Sequence, residues 1–319
     1  MSVLVLRALG LGDLLTAVPA IRGLRRLWPH ADLVLAAPEP VARLLAGMGV
    51  VDTVVPTSGL TEAIRWDREK QPDVAVNLHG AGPQSHQRLL DLGPRRMLAF
   101  ACDQAGFIDG PAWRAEEHEV DRWCRLVHGV GGLCTREDLR IRYTDPPDLA
   151  ETTGHVVVHP GATAPARRWP PQRWATVVRE LSQRGHTVAV TGVSAEADLC
   201  AEVVGDSKVV GNARPVENWC GRLDLTALTD VVSTARLVLC GDTGVAHLAT
   251  ACGTRSVLLF GSTSPTMWGP AIDPDRHRVL WHPDAQDPPG DPHGANVDVR
   301  LSRITVMEVL RAAERVLDG

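Results

Sequence analysis

The most informative segment of this chain is RLVLCGDTGVAHLATACGTRSVLLFGSTSPTMWGP, residues 236–270. It opens with Leu237 to Cys240, a short apolar run with the length and β-propensity of a buried strand. A Gly-Asp-Thr-Gly turn leads into a predicted helix from Val245 to Cys252, which ends at Gly253. The next predicted strand covers Ser256 to Phe260. In parallel α/β sheets such a turn lies at the carboxyl edge, where ligands bind.

The turn at Gly241 to Gly244 has the properties of an anion-binding site. Amides at the start of a helix, together with its dipole, favour a phosphate, and small residues let a ligand approach the backbone closely. Gly261 to Pro265 would supply a second set of small donors one strand along. The alternative is an ordinary tight turn between a strand and a helix. On these residues alone the site is a phosphate site of unknown purpose.

The same alternation of strands and helices extends over the whole chain. In the first half, strands are predicted at 2–7, 33–37, 51–55, 74–78 and 97–101, and helices from 13, from 40, and at 61–69, 84–92 and 116–130. In the second half, further strands are predicted at 156–159, 187–191 and 209–210, and helices at 172–184, 195–204, 225–234 and 306–317. This alternation predicts doubly wound parallel sheets. Residues 142–153, with two prolines and no apolar period, are the predicted linker between two domains.

Length, charge and cysteine content restrict the class of protein. A chain of 319 residues exceeds the usual size of one hydrophobic core, and a net charge of −5 argues against a nucleic-acid partner. Lys70 and Lys208 are the only lysines, so a phosphate would be held by arginine. The seven cysteines form no C-x-x-C pair and indicate reduced thiols. Without a signal peptide or a membrane-spanning apolar run, a cytoplasmic protein with at most peripheral membrane contact is expected.

The loop after the first predicted strand, Leu9-Gly10-Leu11-Gly12-Asp13, contains a candidate catalytic group. A dinucleotide fingerprint is not favoured, because Leu15 occupies the place of the third glycine and no acidic residue ends the second strand. Asp13 has two interpretations. It is either a helix N-cap or a carboxylate that removes the proton of an attacking hydroxyl.

A second candidate loop, HPGATAPARRWP at residues 159–170, follows the first strand of the second half. Thr163 suits a ligand-facing loop, and Arg167 and Arg168 could pair with diphosphate oxygens. The alternative is a basic loop in solvent.

Further polar features also have alternatives. Glu196 either favours a helix dipole or accepts hydrogen bonds from ribose hydroxyls. His247, one turn into the predicted helix, either faces the phosphate or is a buried histidine with its own partners. The loop at residues 282–296 is rich in aspartate and contains two histidines, but it has no known ligand spacing, so no metal site is predicted.

Four segments together resemble glycosyltransferase family 9, the ADP-heptose:lipopolysaccharide heptosyltransferase family. They are, in the family's order, LRALGLGDLLTAVPAIRGLRRLWPHADL, HPGATAPARRWPPQRWA, GVSAE and CGDTGVAHLATACGTRSVLLFGSTSPTMWGP. The last of these is the most specific. The C-terminal VDVRLSRITVMEVLRAAERVL also resembles the closing helix of that family.

The resemblance implies a GT-B fold, an α/β architecture in which two Rossmann-like, doubly wound parallel-sheet domains face each other across a cleft. The expected domains are an acceptor-binding domain at 1–145, a donor-binding domain at 154–300 and a closing helix at 301–319. The implied reaction is inverting, metal-independent sugar transfer without a cofactor. The implied donor is a nucleotide-diphosphate sugar, ADP-heptose in this family, and the acceptor is a hydroxyl of a carbohydrate, glycolipid or small molecule.

Carried over by position, the resemblance also implies roles for individual residues. Asp13 would be the general base, and Gly12 and His79 are the candidate acceptor contacts. The expected donor contacts are Thr163, Arg167, Arg168, Glu196, Asp242, Thr243, Gly244 and His247.

The sequence departs from the family's pattern in two places. Arg168 stands where the family often has a lysine, and the loop before the closing helix lacks the cysteines found in relatives. The acceptor is therefore left open between a lipopolysaccharide core and a small molecule. Two other functions are also left open: a GT-B-type sugar-nucleotide epimerase, which needs no acceptor, and a sugar-nucleotide-binding protein without catalysis.

Overall fold

The computed structural model describes residues 1–141, 154–205 and 213–318. The chain divides into two compact units, Met1–Ile141 and Arg142–Gly319. The predicted linker at 142–153 and the predicted short strand at 209–210 lie outside the described residues. Within the described ranges, none of the helices combines the length and the hydropathy that a transmembrane span requires.

The first unit contains one five-stranded parallel sheet. Its strands are β1 (Ser2–Leu6), β2 (Asp32–Ala37), β3 (Thr53–Pro56), β4 (Val74–Asn77) and β5 (Arg96–Leu98). Its helices are α1 (Leu11–Leu27), α2 (Glu39–Gly47), α3 (Gln84–Leu90) and α4 (Glu119–His128). The strand order is β3-β2-β1-β4-β5, and Leu6 of β1 lies beside Ala36 on one side and Asn77 on the other.

The second unit contains one six-stranded parallel sheet. Its strands are β6 (Val156–His159), β7 (Val188–Val190), β8 (Val216–Asn218), β9 (Leu237–Gly241), β10 (Ser256–Leu259) and β11 (His277–Leu280). Its helices are α5 (Pro171–Gln183), α6 (Ala197–Val204), α7 (Leu225–Thr234), α8 (Gly244–Cys252), α9 (Pro265–Trp268), α10 (Val299–Arg303) and α11 (Val306–Asp318). The strand order is β11-β10-β9-β6-β7-β8, with His159 of β6 beside Cys240 of β9.

The central strands are apolar along almost their whole length, as expected for parallel sheets that helices cover on both faces. β1 reads SVLVL and β9 reads LVLCG, and all of these residues except Ser2 are buried. The core of the second unit also contains Trp169 and Trp174, whose rings pack edge to face with centroids 4.9 Å apart. Because the strands offer no polar face, polar chemistry is restricted to their ends.

Both sheets contain a topological switch point. The chain winds outward from β1 through β2 and β3 and then returns to the other side of β1 with β4 and β5. In the second sheet, β6, β7 and β8 wind outward on one side, and β9, β10 and β11 lie on the other. The loops that leave β1 and β4, or β6 and β9, therefore diverge and form a crevice at the carboxyl edge, where α/β proteins bind ligands.

The helix predicted at residues 61–69 is wrong, because the structure has only irregular backbone there. The carbonyl of Thr61 accepts a hydrogen bond from the guanidinium of Arg88 at 3.1 Å. Ile64 and Trp66 are two residues apart, and both pack on the core of the first unit, which suits an extended chain rather than a helix. Hydrogen bonds and packing with distant residues thus take the place of the predicted helix at residues 61–69.

Four short elements of the second unit are not predicted from the sequence, namely β8, β11, α9 and α10. β8 and β11 are the edge strands of the sheet. β8 reads VEN, and each of its residues is partly exposed, so it lacks the apolar run that identifies a buried strand. The other predicted strands and helices within the described residues are confirmed, with ends that differ by a few residues.

Val238 and Val193 offer a matched test of the assigned core of the second unit. Val238, on the central strand β9, is fully buried, whereas Val193 is 60% exposed. Val238→Ala should lower the free energy of unfolding by about 2 kcal/mol, because it removes buried methyl groups and leaves a cavity. Val193→Ala should change it by less than about 0.5 kcal/mol. Urea denaturation measures both values, and equal effects would contradict the assigned core.

Candidate active site

Asp13 lies at the switch point of the first sheet. It is the third residue of α1, which begins at Leu11 with Gly10 as its N-cap. The N-cap interpretation of Asp13 is therefore wrong, because the helix already includes its backbone. The Asp13 side chain is 33% exposed, and its Oδ1 lies 3.6 Å from Nη2 of Arg7. Gly12, in the same turn, is partly exposed.

Arg7 follows β1, is fully buried, and connects α1 to the rest of the first unit. Its Nε donates to the Asp13 carbonyl at 2.8 Å, and its Nη1 donates to the Leu78 carbonyl. Its Nη2 donates to the Thr16 hydroxyl at 3.2 Å and to Oε1 of Glu119 at 2.9 Å. A buried guanidinium is stable only with such partners, because an unpaired buried charge is costly. The position of Asp13 is thus fixed from within the unit.

His79 lies on the other side of the same switch point, in the loop after β4. Its Nδ1 accepts a hydrogen bond from the Ala8 amide at 3.1 Å. Burial, assisted by the positive charge of Arg7, lowers the pKa of His79 to about 4. The ring is therefore neutral at neutral pH, and because Nδ1 accepts, Nε2 carries the proton. The structure brings His79 and Asp13 to the same edge of the first sheet.

In the second unit, the predicted anion site lies at the switch point between β6 and β9. Thr243 caps α8, since its hydroxyl accepts a hydrogen bond from the Val245 amide at 3.3 Å. Asp242 and Thr243 are only 6% and 8% exposed, and Gly244 is the first residue of the helix. The turn therefore places the amino terminus of α8, with its partial positive charge, at the carboxyl edge of the sheet.

The arginine loop after β6 approaches this turn. Nη1 of Arg167 donates to the Asp242 carbonyl at 3.3 Å, while its Nε is buried without a hydrogen-bond partner among the described residues. Nε of Arg168 donates to the Ala162 carbonyl at 2.7 Å and so closes its own loop. Thr163 is exposed in that loop. Arg167 is thus brought to the anion site directly, whereas Arg168 shapes the loop that carries it.

Glu196 bridges the loops that follow β6 and β7. It is 8% exposed, and its Oε2 accepts a hydrogen bond from the Val193 amide at 3.0 Å. A Cβ on Gly161 would overlap this carboxylate, and a Cβ on Gly192 would lie 3.1 Å from Oε2. His159 lies in the same environment, since burial lowers its pKa while the charge of Glu196 opposes that shift. The two glycines are therefore what allows Glu196 to reach this edge of the sheet.

His247 lies one turn into α8 and is 8% exposed. Its ring packs edge-on against Trp268 of α9, with centroids 5.9 Å apart. Burial and this ring contact favour the buried-histidine interpretation. The contact of His247 with a donor stays a prediction.

The loop at residues 282–296 is held by ion pairs. Asp287 has a side chain only 4% exposed, and it pairs with Arg303 at 2.6 Å and with Arg300 at 3.4 Å. The hydrogen bond from Arg303, with the charges of both arginines, lowers the pKa of Asp287 to about 2. In the described parts of the chain, no group of three or more His, Cys, Asp or Glu side chains is arranged to hold a metal ion.

The same loop is attached to the arginine loop of the anion site. The Ala166 amide donates to the Gly294 carbonyl at 3.1 Å, and the Ala166 carbonyl accepts from the Asp298 amide at 3.2 Å. Residues 282–296 therefore support the segment that carries Arg167.

Sequence reasoning misses Arg7 and Glu119. A signal for Arg7 exists, because an arginine that directly continues the apolar strand SVLVL must find buried partners. Glu119 has no comparable signal, since it lies 112 residues from Arg7 in the chain.

The class of protein that these features define is an α/β protein with two Rossmann-like parallel sheets and a polar, ligand-binding carboxyl edge on each. Residues 110–287 match glycosyltransferase family 9 (heptosyltransferase), and the chain belongs to this family. The resemblance and the fold class predicted from the sequence are thereby confirmed. Asp13 and His79 lie outside the matched residues, so their roles stay predictions.

Comparison with individual proteins agrees with the family. The chain is 22% identical to lipopolysaccharide heptosyltransferase 2 of Escherichia coli K12 over 305 residues, which cover 85% of each protein. The structure of E. coli ADP-heptose LPS heptosyltransferase II is similar with a TM-score of 0.79 at 20% identity, over 99% of this chain and 98% of that one. E. coli heptosyltransferase WaaC with ADP gives 0.73 at 18% identity, over 99% and 100%. At these identities the structural likeness establishes the fold.

The lowered pKa of His79 predicts how stability depends on pH. The unfolded chain binds this proton with a pKa of about 6.5 and the folded chain with one of about 4. Unfolding therefore takes up a proton between these values, and the free energy of unfolding should fall as the pH is lowered from about 6.5 to about 4. His79→Asn should reduce this dependence and leave the part due to His277, whose pKa burial also lowers to about 4, with His293→Asn at an exposed position as the control. Urea midpoints between pH 7 and pH 4.5 test this, and an unchanged slope in His79→Asn would contradict it.

Proposed function

We propose that this chain transfers a heptose from ADP-heptose to a hydroxyl group of an acceptor, with inversion and without a metal ion. Membership of glycosyltransferase family 9 supports the reaction class. The E. coli relative is a lipopolysaccharide heptosyltransferase, and one structural neighbour is a heptosyltransferase with ADP, which supports ADP as the leaving group. The observation that carries the proposal is the Asp13 carboxylate, held at the switch point of the first sheet by the fully buried Arg7.

The proposed reaction is a single displacement. The acceptor oxygen attacks the anomeric carbon from the face opposite the diphosphate, and the new C–O bond forms as the bond to the diphosphate oxygen breaks. The configuration at that carbon therefore inverts. The Asp13 carboxylate takes the proton of the attacking hydroxyl, and the electrons of the broken bond leave with ADP. General base catalysis of this kind contributes typically ~10²–10⁴ in rate.

The second unit is proposed to bind the donor and to stabilise the departing ADP. The amino terminus of α8 at Gly244 favours the negative charge that develops on the diphosphate, and Arg167 and Arg168 are proposed to pair with its oxygens. Glu196 is proposed to accept hydrogen bonds from the ribose. The remaining proposed contacts with the diphosphate and the sugar are Thr163, Asp242, Thr243 and His247.

The first unit is proposed to bind the acceptor. A neutral His79 with its proton on Nε2 can donate to an acceptor oxygen, and Gly12 lets a sugar approach the start of α1. The name of the E. coli relative suggests a lipopolysaccharide core as the acceptor. In this assignment, residues 1–145 bind the acceptor, 154–300 bind the donor, and 301–319 close the donor domain. The enzyme would work in the cytoplasm with at most peripheral membrane contact.

Asp13→Ala tests the proposed base. It should abolish heptose transfer from ADP-heptose to lipopolysaccharide that lacks heptose, because the attacking hydroxyl loses its proposed base, while ADP affinity stays within a few-fold. Asp91→Ala, at the exposed aspartate that ends α3, is the matched control and should retain activity. Transfer is measured by ADP release, in EDTA so that metal independence is tested in the same assay. Full activity of Asp13→Ala would remove Asp13 from the mechanism.

Arg167→Ala tests the proposed donor site. It should weaken ADP binding about 10- to 100-fold, since a charge-assisted hydrogen bond to an anion is worth roughly 1.5–3 kcal/mol. Arg179→Ala, an exposed arginine on α5, is the matched control and should bind ADP like the unmodified chain. Isothermal titration with ADP measures both. Equal affinities would place the diphosphate elsewhere.

A further inference from the structure

We propose that Glu119 is a positioning residue for Asp13, because it shares the Arg7 guanidinium and so sets how strongly that cation holds the Asp13 carboxylate. The inference rests on the proposed function, in which Asp13 is the general base. Glu119 touches neither substrate nor reacting atoms in this role. It acts through Arg7.

The geometry places one nitrogen between two carboxylates. Nη2 of Arg7 lies 2.9 Å from Oε1 of Glu119 and 3.6 Å from Oδ1 of Asp13. Arg7 and Glu119 are buried, whereas the Asp13 side chain is 33% exposed. The shorter contact is thus with the buried carboxylate, and the exposed carboxylate keeps the longer one. This arrangement keeps the Asp13 carboxylate beside a cation while a third of its side chain stays exposed, where an acceptor hydroxyl could meet it.

Both partners of this contact are held in place. Nε1 of Trp123 donates to Oε1 of Glu119 at 2.9 Å, and Arg122 pairs with Oε2. Nη2 of Arg122 donates to three backbone carbonyls before α4, each at 3.0 Å. The guanidinium of Arg7 lies over the Trp123 ring at 4.6 Å from its centroid. These contacts hold the Glu119 carboxylate in place, so Arg7 keeps its shorter contact with Glu119 and its longer contact with Asp13.

Among the described residues, the charged and titratable groups near this site include Arg7 after β1, His79 after β4, and Glu119 and Arg122 on α4. His79 is neutral, so the negative charge of Glu119 offsets part of the positive charge that Arg7 presents to Asp13. The charge of Arg7 is felt across this site, since it contributes to the lowered pKa of His79. Loss of the Glu119 charge would leave Asp13 facing an excess of positive charge, which favours its ionised form and makes it a weaker base.

The test is the pH dependence of transfer in Glu119→Gln, which keeps the shape of the side chain and removes its charge. With ADP-heptose and heptose-free lipopolysaccharide, the acidic limb of the kcat profile should move to lower pH by about one unit, the order of magnitude expected when one nearby charge is removed. The plateau rate should fall several-fold. Glu117→Gln is the matched control, because the Glu117 side chain pairs with Arg125 at 2.7 Å rather than with Arg7. Its limb should not move.

Arg122→Gln should move the acidic limb of the kcat profile in the opposite direction. It tests the role of Glu119 if Glu119→Gln does not fold. Removing this positive charge leaves Glu119 a stronger partner of Arg7, so the limb should move to higher pH. An unmoved limb in the folded Glu119→Gln and Arg122→Gln variants, with Asp13→Ala inactive, would overturn this inference and leave the proposed function intact. Activity in Asp13→Ala would instead overturn the proposed base itself, and with it this role of Glu119.

Discussion

The structure depends on one constraint: a parallel sheet buried on both faces can place polar groups only at the ends of its strands. In both units the central strands are apolar, and the order of strands reverses at β1 and β4 or at β6 and β9. The charged residues of interest lie at these reversals, with Arg7 and Asp13 in the first unit and Arg167 and Asp242 in the second. The same hydrophobic pattern that determines the fold therefore also determines where chemistry can occur.

Features that depend on neighbouring residues could be predicted from the sequence. The strand, turn and helix at residues 237–252 were recognisable because an apolar run, small turn residues and a terminating glycine act locally. The helix begins one residue earlier than predicted, at Gly244, with Thr243 as its N-cap. Asp13 was recognisable as a site candidate for the same reason, since it follows the first strand. The sequence did not show that Asp13 lies inside the helix instead of capping it, because this depends on the extended backbone of Gly10, which is the N-cap.

Features that depend on distant residues could not be predicted. The hydrogen bond between Arg7 and Glu119 spans 112 residues, and nothing near Glu119 marks it as a partner of the first strand. The absence of a helix at 61–69 has the same origin, because Arg88 from another element takes a carbonyl that a helix would have used. The hydrophobic periodicity of a segment indicates which of its faces can be buried. The contacts described here depend instead on which distant residues lie next to the segment in the folded chain.

The ion pairs of Asp287 have a consequence for the conditions under which the enzyme can work. Counter-ions weaken attractions between groups in solvent, but they have little access to a carboxylate that is 4% exposed between two guanidinium groups. Salt should therefore weaken these ion pairs less than it weakens a pair in which both side chains are exposed. A segment without regular secondary structure can in this way keep an electrostatic attachment that a surface ion pair would lose.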